Sequence, residues 1–267
     1  MSRIAEKFDY LRSKKEKALI VYLTAGDPSL SLTRELIFAL EKAGVDILEI
    51  GVPFSDPTAD GPVIQEASQR ALKSGTTLSG VLKLVEEVRQ KSAIPIVLFG
   101  YYNPIFSYGV EKFANAAAIA GVDGILVVDL PPEESGELTR YTDNKGIDFI
   151  SLVAPTTDNE RIKKISAAAH GFLYYISITG ITGTAVPKIE DIKKGVAKIR
   201  KISKLPIAVG FGISSPAQAK EIAEVADGIV IGSAVVKLIN ENRNNPNLLK
   251  IVAKYTRAIK ENLYWLL

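Results

Sequence analysis

The sequence predicts a (β/α)8 TIM barrel with an extra helix at its N-terminus. Short apolar, β-branched runs recur along the whole chain, amphipathic stretches separate them, and eight such units fill 267 residues. Strict alternation implies a parallel sheet with right-handed crossovers. Eight units over about 250 residues is the size of the closed barrel. No Gly-x-Gly-x-x-Gly follows the first run, which argues against an open doubly wound sheet. Residues 1–267 read as one barrel domain, because no linker or low-complexity tract interrupts them.

The chain opens with a helix over 4–11, whose Ile4, Phe8 and Leu11 share one stripe. Strands are expected at 18–23, 46–50, 94–99, 124–129, 148–153, 172–177, 206–210 and 228–232. Their length and their Gly, Pro, Asn or Asp borders suit strands buried on both faces. Helices are expected at 31–43, 78–91, 110–120, 133–144, 159–169, 189–202, 216–225 and 247–263. Ser31, Ser79, Asp158 and Ser215 stand where N-caps belong. Gly44, Gly121 and Gly146 stand where helices should stop.

Composition removes several kinds of chemistry. A hydrophobic share of 47% and a charged share of 24% are those of an ordinary globular protein. A net charge of +3 leaves no electrostatic footprint for nucleic acid. With no cysteine there is no thiol nucleophile, thiolate metal site or disulfide. A single histidine gives no zinc-binding pair, and no serine-elbow motif with a histidine partner is present. Charge at Arg3 and the lack of a long apolar run point to a cytoplasmic protein without secretory signal or membrane span. This composition leaves acid–base chemistry with no cofactor and no metal as the expectation, and the strand-end glycines at 210, 212 and 232 add a small phosphate ester as its substrate.

In barrels of this kind the active site lies at the C-terminal strand ends. The second run reads Ile47-Leu48-Glu49-Ile50, and none of the eight runs carries Lys or Arg. If Glu49 points inward, it is a desolvated carboxylate without a basic partner, which suits proton transfer. The other possibility is that it faces outward or accepts from backbone. The following loop, 51–62, is rich in Pro and Gly and contains Asp60, in a dipeptide that also makes ordinary turns. Gly210-Phe211-Gly212 closes the seventh run, and Gly232-Ser233 closes the eighth. Glycines and a helix N-terminus at Ser233 would suit a phosphate. The Gly- and Thr-rich stretch 179–187 reads as a lid, and His170, ahead of the sixth strand, as structural.

Several motifs then stand together. They are Leu23-Thr24-Ala25-Gly26-Asp27-Pro28, the run from Glu49 through Gly51-Val52-Pro53-Phe54-Ser55-Asp56-Pro57, Ala59-Asp60-Gly61-Pro62-Val63-Ile64-Gln65, Tyr102-Asn103-Pro104, Asp129-Leu130-Pro131, Thr182-Gly183 and Gly210-Phe211-Gly212-Ile213-Ser214. Over essentially its whole length the chain resembles the tryptophan synthase α chain family.

The resemblance implies a lyase that cleaves indole-3-glycerol phosphate by a retro-aldol reaction to indole and glyceraldehyde 3-phosphate. It assigns acid–base work to Glu49 and charge stabilisation at the indole nitrogen to Asp60. Tyr174 would stand near Glu49. Tyr22, Ile64, Phe99, Val127 and Asp129 would border the indole, and Thr182 would close the lid against Asp60. Gly183, Gly212, Gly232 and Ser233 would hold the phosphate. It also implies an α2β2 complex with a β chain that uses pyridoxal phosphate, facing loops 53–57, 103–106 and 131–132. The chain departs from many members in having Tyr22 in place of Phe and no arginine shortly after Thr182-Gly183. A barrel isomerase on a phosphorylated sugar or anthranilate derivative would share the phosphate site but not the Glu49-to-Asp60 run. A purely regulatory subunit would have no need of both carboxylates.

Overall fold

Strands buried on both sides need apolar residues at nearly every position, and the pleat sends successive side chains to opposite faces. In the computed structural model, which describes residues 2–176, 188–210 and 212–263, eight such strands form a closed parallel barrel in sequence order. They are β1 (Ala18–Thr24), β2 (Ile47–Gly51), β3 (Ile96–Gly100), β4 (Gly124–Val127), β5 (Asp148–Val153), β6 (Leu173–Ile176), β7 (Ile207–Gly210) and β8 (Gly228–Ile231). β8 closes onto β1 through Ala18 opposite Gly228. One alternate set, Ile20, Ile47, Val97, Leu126, Ile150, Ala208 and Val230, fills the interior. The other set, including Val21, Leu48, Leu98, Ile125, Phe149 and Ile229, packs outward against helices.

The surrounding helices are α1 (Arg3–Ser13), α2 (Leu30–Lys42), α3 (Pro62–Lys73), α4 (Leu78–Arg89), α5 (Tyr102–Tyr108), α6 (Val110–Ala120), α7 (Gly136–Thr142), α8 (Asn159–Ala168), α9 (Ile189–Arg200), α10 (Pro216–Ala223), α11 (Ser233–Glu241) and α12 (Leu248–Lys260). A 3-10 turn, Asp143–Lys145, extends α7. The stripe of α1 plugs the N-terminal end of the barrel: Phe8 lies 5.7 Å from Phe172, ring to ring. Among the described residues, no helix is long and apolar enough to cross a membrane.

The structure corrects several sequence expectations. The N-caps of α2 and α4 are Ser29 and Thr77, not Ser31 and Ser79. Their hydroxyls accept from Leu32 N and Gly80 N. α3 falls where no helix is expected, and α5 in a stretch read as loop. α3 begins with Pro62, whose missing N–H costs nothing at a first helical position. α5 is a seven-residue helix containing Pro104 near its start. β4 ends at Val127, so Asp129 lies beyond the strand. The proposed lid, with Thr182 and Gly183, lies outside the described residues.

Three aspartates lock the lower rim by the same device. Asp46 accepts from Leu19 N at 2.8 Å, Asp123 from Ile96 N at 2.8 Å and Asp227 from Ile207 N at 2.9 Å. Each stands just before an even-numbered strand and ties down the start of the preceding one. Each also has a cation: Lys260 at 2.7 Å from Asp46, Arg89 beside Asp123, and Arg200 at 3.1 Å from Asp227. The repeated Gly-Val-Asp at 44–46 and 121–123 is the sequence trace of this lock. Asp123→Ala removes the carboxylate from a buried guanidinium and a buried N–H. It should cost about 3 kcal/mol or more of stability. Urea unfolding that shows a loss below about 1 kcal/mol would contradict that role.

Candidate active site

The upper rim of the interior is polar where the lower interior is not. On β2 the inward series is Ile47, Glu49, Gly51, with Tyr22 opposite Glu49 on β1 and Val97 opposite it on β3. Glu49 is 1% exposed. Its Oε1 is buried without a hydrogen-bond partner among the described residues. Burial alone pushes its carboxyl up from 4.5 to about 8, with no cation to oppose the shift. Glu49 therefore carries its proton at neutral pH.

Asp60 reaches the same mouth from the connection between β2 and α3. That connection is tied down at its end. Gln65 Nε2 donates to Asp60 O at 2.8 Å. The Tyr101 hydroxyl accepts from Ala59 N at 3.0 Å and donates to Asp60 Oδ2 at 3.0 Å. The Tyr101 ring lies 5.3 Å from that of Phe54 in the same connection. Burial pushes Asp60 up to about 6, and the Tyr101 hydrogen bond pulls the other way. Asp60 is therefore mainly ionised at neutral pH. Two carboxyl groups whose surroundings hold them in opposite states can divide acid and base work.

Two buried tyrosines stand beside them. Both phenols are pushed far up, first by burial and then by the fields of Glu49 and Asp60. Their hydroxyls occupy space that a side chain on a neighbouring strand would fill. A Cβ on Gly51 would lie 2.0 Å from Tyr22 Oη, and one on Gly210 2.1 Å from Tyr174 Oη. Thr24 Oγ1 donates to Tyr22 Oη at 3.3 Å. The Tyr22 ring meets Phe99 edge-on at 5.3 Å, and Ile64 and Ala67 of α3 with Val236 of α11 complete an apolar wall.

The structure thus brings Glu49, Asp60, Tyr22, Ile64, Phe99 and Tyr174 to one mouth. It does not bring Val127 there. Val127 belongs to the helix-facing layer, and its neighbours Leu126 and Val128 face inward. A shift of one residue along a strand reverses the face. Asp129 is exposed at the rim, where its Oδ1 accepts from the N–H of Tyr102, the first residue of α5, at 2.8 Å. Its carboxylate caps that helix. Leu152 and Ile176 also line the interior, and alternation along β5 and β6 could have found both. Nothing in the sequence marks Tyr101, whose partners lie 41 and 42 positions earlier.

Two elements meet the mouth at β7 and β8. Gly212 has φ +76, in the left-handed region open to glycine, and precedes α10, whose N-cap is Ser215. Gly232 is the N-cap of α11 and Ser233 its first residue. A Cβ on Gly232 would lie 3.4 Å from Tyr22 Cβ, so this helix start adjoins the aromatic wall. First-turn N–H groups lack intrahelical acceptors and carry the positive end of the helix dipole. An anion at that end and a flat apolar ring beside Tyr22 and Phe99 can be held together.

A site built from this order of residues has relatives. Residues 8–263 match the family described as tryptophan synthase alpha chain. The tryptophan synthase alpha chain of Geotalea uraniireducens is 53% identical over 260 residues, covering 97% of each chain. That of Citrifermentans bemidjiense is 50% identical over 263 residues, covering 98% of each. The crystal structure of tryptophan synthase subunit alpha from Legionella pneumophila superposes with a TM-score of 0.92 at 39% identity, again over 98% of each chain. Sequence and fold agree along nearly the full length, and the chain belongs to the tryptophan synthase alpha chain family.

Proposed function

We propose that Glu49 does the acid–base work and Asp60 the charge stabilisation in the α reaction of tryptophan biosynthesis, which this chain carries out as a member of its family. The reaction is the cleavage of indole-3-glycerol phosphate to indole and glyceraldehyde 3-phosphate. One observation carries the division: the two carboxyl groups share a mouth, yet Glu49 is raised to about 8 and Asp60 only to about 6.

The steps follow from those states. Protonated Glu49 gives its proton to C3 of the indole ring, and the ring nitrogen takes up positive charge. Ionised Asp60 accepts a hydrogen bond from the ring N–H and stabilises that charge. Glu49, now a carboxylate, takes the proton of the glycerol hydroxyl next to the breaking bond. The C–C electron pair returns to the ring, an aldehyde forms, and Glu49 has regained its proton. Tyr22, Ile64, Phe99, Tyr174 and the inward Leu126 and Val128 hold the ring. Gly212, Gly232 and Ser233 hold the phosphate.

The family works with a β chain, and we place its docking surface on the loops of the upper rim. α5 supports this, since its Phe106 is 64% exposed beside the stretch that carries Tyr101. An α2β2 assembly in the cytoplasm fits this reading, as does a chain that needs no cofactor of its own for the cleavage.

Indole release should follow a bell in pH. The kcat/KM should rise through about 6 as Asp60 ionises and fall through about 8 as Glu49 loses the proton it must donate. A profile flat from pH 5 to 9 would refute this assignment. Glu49→Gln should lose at least about 10²- to 10⁴-fold in turnover. It should also gain stability over the wild type as pH rises. The unfolded chain releases the Glu49 proton near 4.5 and the folded one only near 8, so wild-type stability declines between those values and the variant is spared. Urea unfolding at pH 5 and pH 8 checks this, and a difference that stays constant would mean Glu49 is not held protonated by burial.

A further inference from the structure

We propose that Tyr101 is the positioning residue for Asp60: its phenol fixes one carboxylate oxygen and leaves the other to meet the substrate's ring N–H. The proposal rests on the reading that ionised Asp60 serves the cleavage, and it concerns how that state is kept.

The geometry is a two-point clamp. A single oxygen, Tyr101 Oη, accepts from Ala59 N and donates to Asp60 Oδ2, each at 3.0 Å. The direction of these bonds is fixed by chemistry. A backbone N–H can only donate, so it occupies an acceptor position on the phenol, and the phenol's one proton goes to Asp60. Tyr101 therefore offers the carboxylate a donor, which favours the anion. Because the two bonds reach consecutive residues, they set the Asp60 side chain relative to its own backbone.

The clamp stands on a rigid base. Tyr101 is 4% exposed and follows Gly100, the last residue of β3. The next residue, Tyr102, is held through its N–H by Asp129. The ring of Phe54 seats the phenol from the loop side. Asp60 itself stands on a connection without helix or strand, so its placement is borrowed from β3. A catalytic group misplaced by about 1 Å can cost about 10²-fold in rate.

Among the described residues, Tyr101 is the one side chain that donates to the Asp60 carboxylate, and the other groups facing it add no positive charge. Tyr22 of β1 and Tyr174 of β6 have strongly raised phenols and stay neutral across the working pH range. Glu49 of β2 stays protonated below about 8. Removing the Tyr101 hydroxyl takes from Asp60 Oδ2 its hydrogen bond.

The test is Tyr101→Phe, assayed by indole release from indole-3-glycerol phosphate across pH 5 to 9. The acid limb of kcat/KM should move up by about one pH unit while the alkaline limb stays. At pH 7 kcat should fall about tenfold or more, with a smaller change in KM. In an Asp60→Asn background the same substitution should cost little further, since the carboxylate it serves is gone. Phe54→Ala, which unseats the phenol without removing it, should shift the acid limb in the same direction by less, and it carries the test if Tyr101→Phe does not fold. An acid limb unmoved in the folded variants, or equal losses in both backgrounds, would overturn the proposal and leave Tyr101 a packing residue. A wild type that releases no indole at any pH would overturn the functional reading instead.

Discussion

A carboxyl group inside a closed barrel, with no cation on any strand near it, sets the terms for the rest of this molecule. The shift of Glu49 from 4.5 to about 8 corresponds to roughly 5 kcal/mol against its ionised form. Tolerating that group requires that it stay protonated, and keeping it protonated requires that the mouth stay apolar. Hence the wall of Tyr22, Ile64, Phe99 and Val236, and hence strand-end glycines at 51 and 210 that let phenol hydroxyls, not charged groups, approach the rim. The stability needed to carry this group is built at the opposite end. There Asp46, Asp123 and Asp227 pair with cations and with strand N–H groups, and α1 closes the interior. Carboxylates are paired with cations where the barrel is held together, whereas Glu49 at the opposite end is neutral because it keeps its proton.

Asp60 poses the opposite problem. It must remain an anion in a mouth that disfavours anions, and it sits on a connection instead of a strand. Partial exposure keeps its shift smaller than that of Glu49, and a phenol donor from the end of β3 opposes what burial does. The two carboxyl groups are thus set apart by mounting as much as by environment. One is part of the sheet, and its Oε1 has no hydrogen-bond partner among the described residues. The other is on a loop and borrows one. Tyr22 fits the same economy of polar contacts: its hydroxyl accepts from Thr24 and rests over Gly51, so it adds no charge beside Glu49.

The barrel was largely legible in the sequence because its signal is redundant. Eight apolar runs, each bounded by turn residues, fall within a few positions of the eight strands, and the absence of Lys and Arg in them foretold an unpaired Glu49. What failed was local. Ser31 and Ser79 lie two residues past Ser29 and Thr77, which do the capping. Pro104 in the stretch 102–108 hid a short helix, because proline is acceptable in a first turn. Val127 was one residue out of register, and in a strand one residue is a whole face. Tyr101 was invisible for a different reason. Its role is set by a contact between β3 and a connection some forty residues earlier, and no local pattern encodes that distance.

The central claim is that burial holds the proton on Glu49 at neutral pH. The direct measurement is a titration of the side-chain carboxyl by carbon-13 NMR on the wild-type protein labelled at glutamate Cδ, with the Glu49→Gln variant assigning the signal. A midpoint near 8 is the result this structure predicts. A midpoint near 4.5, the ordinary glutamate value, would show that Glu49 is ionised in the resting protein and would contradict the account.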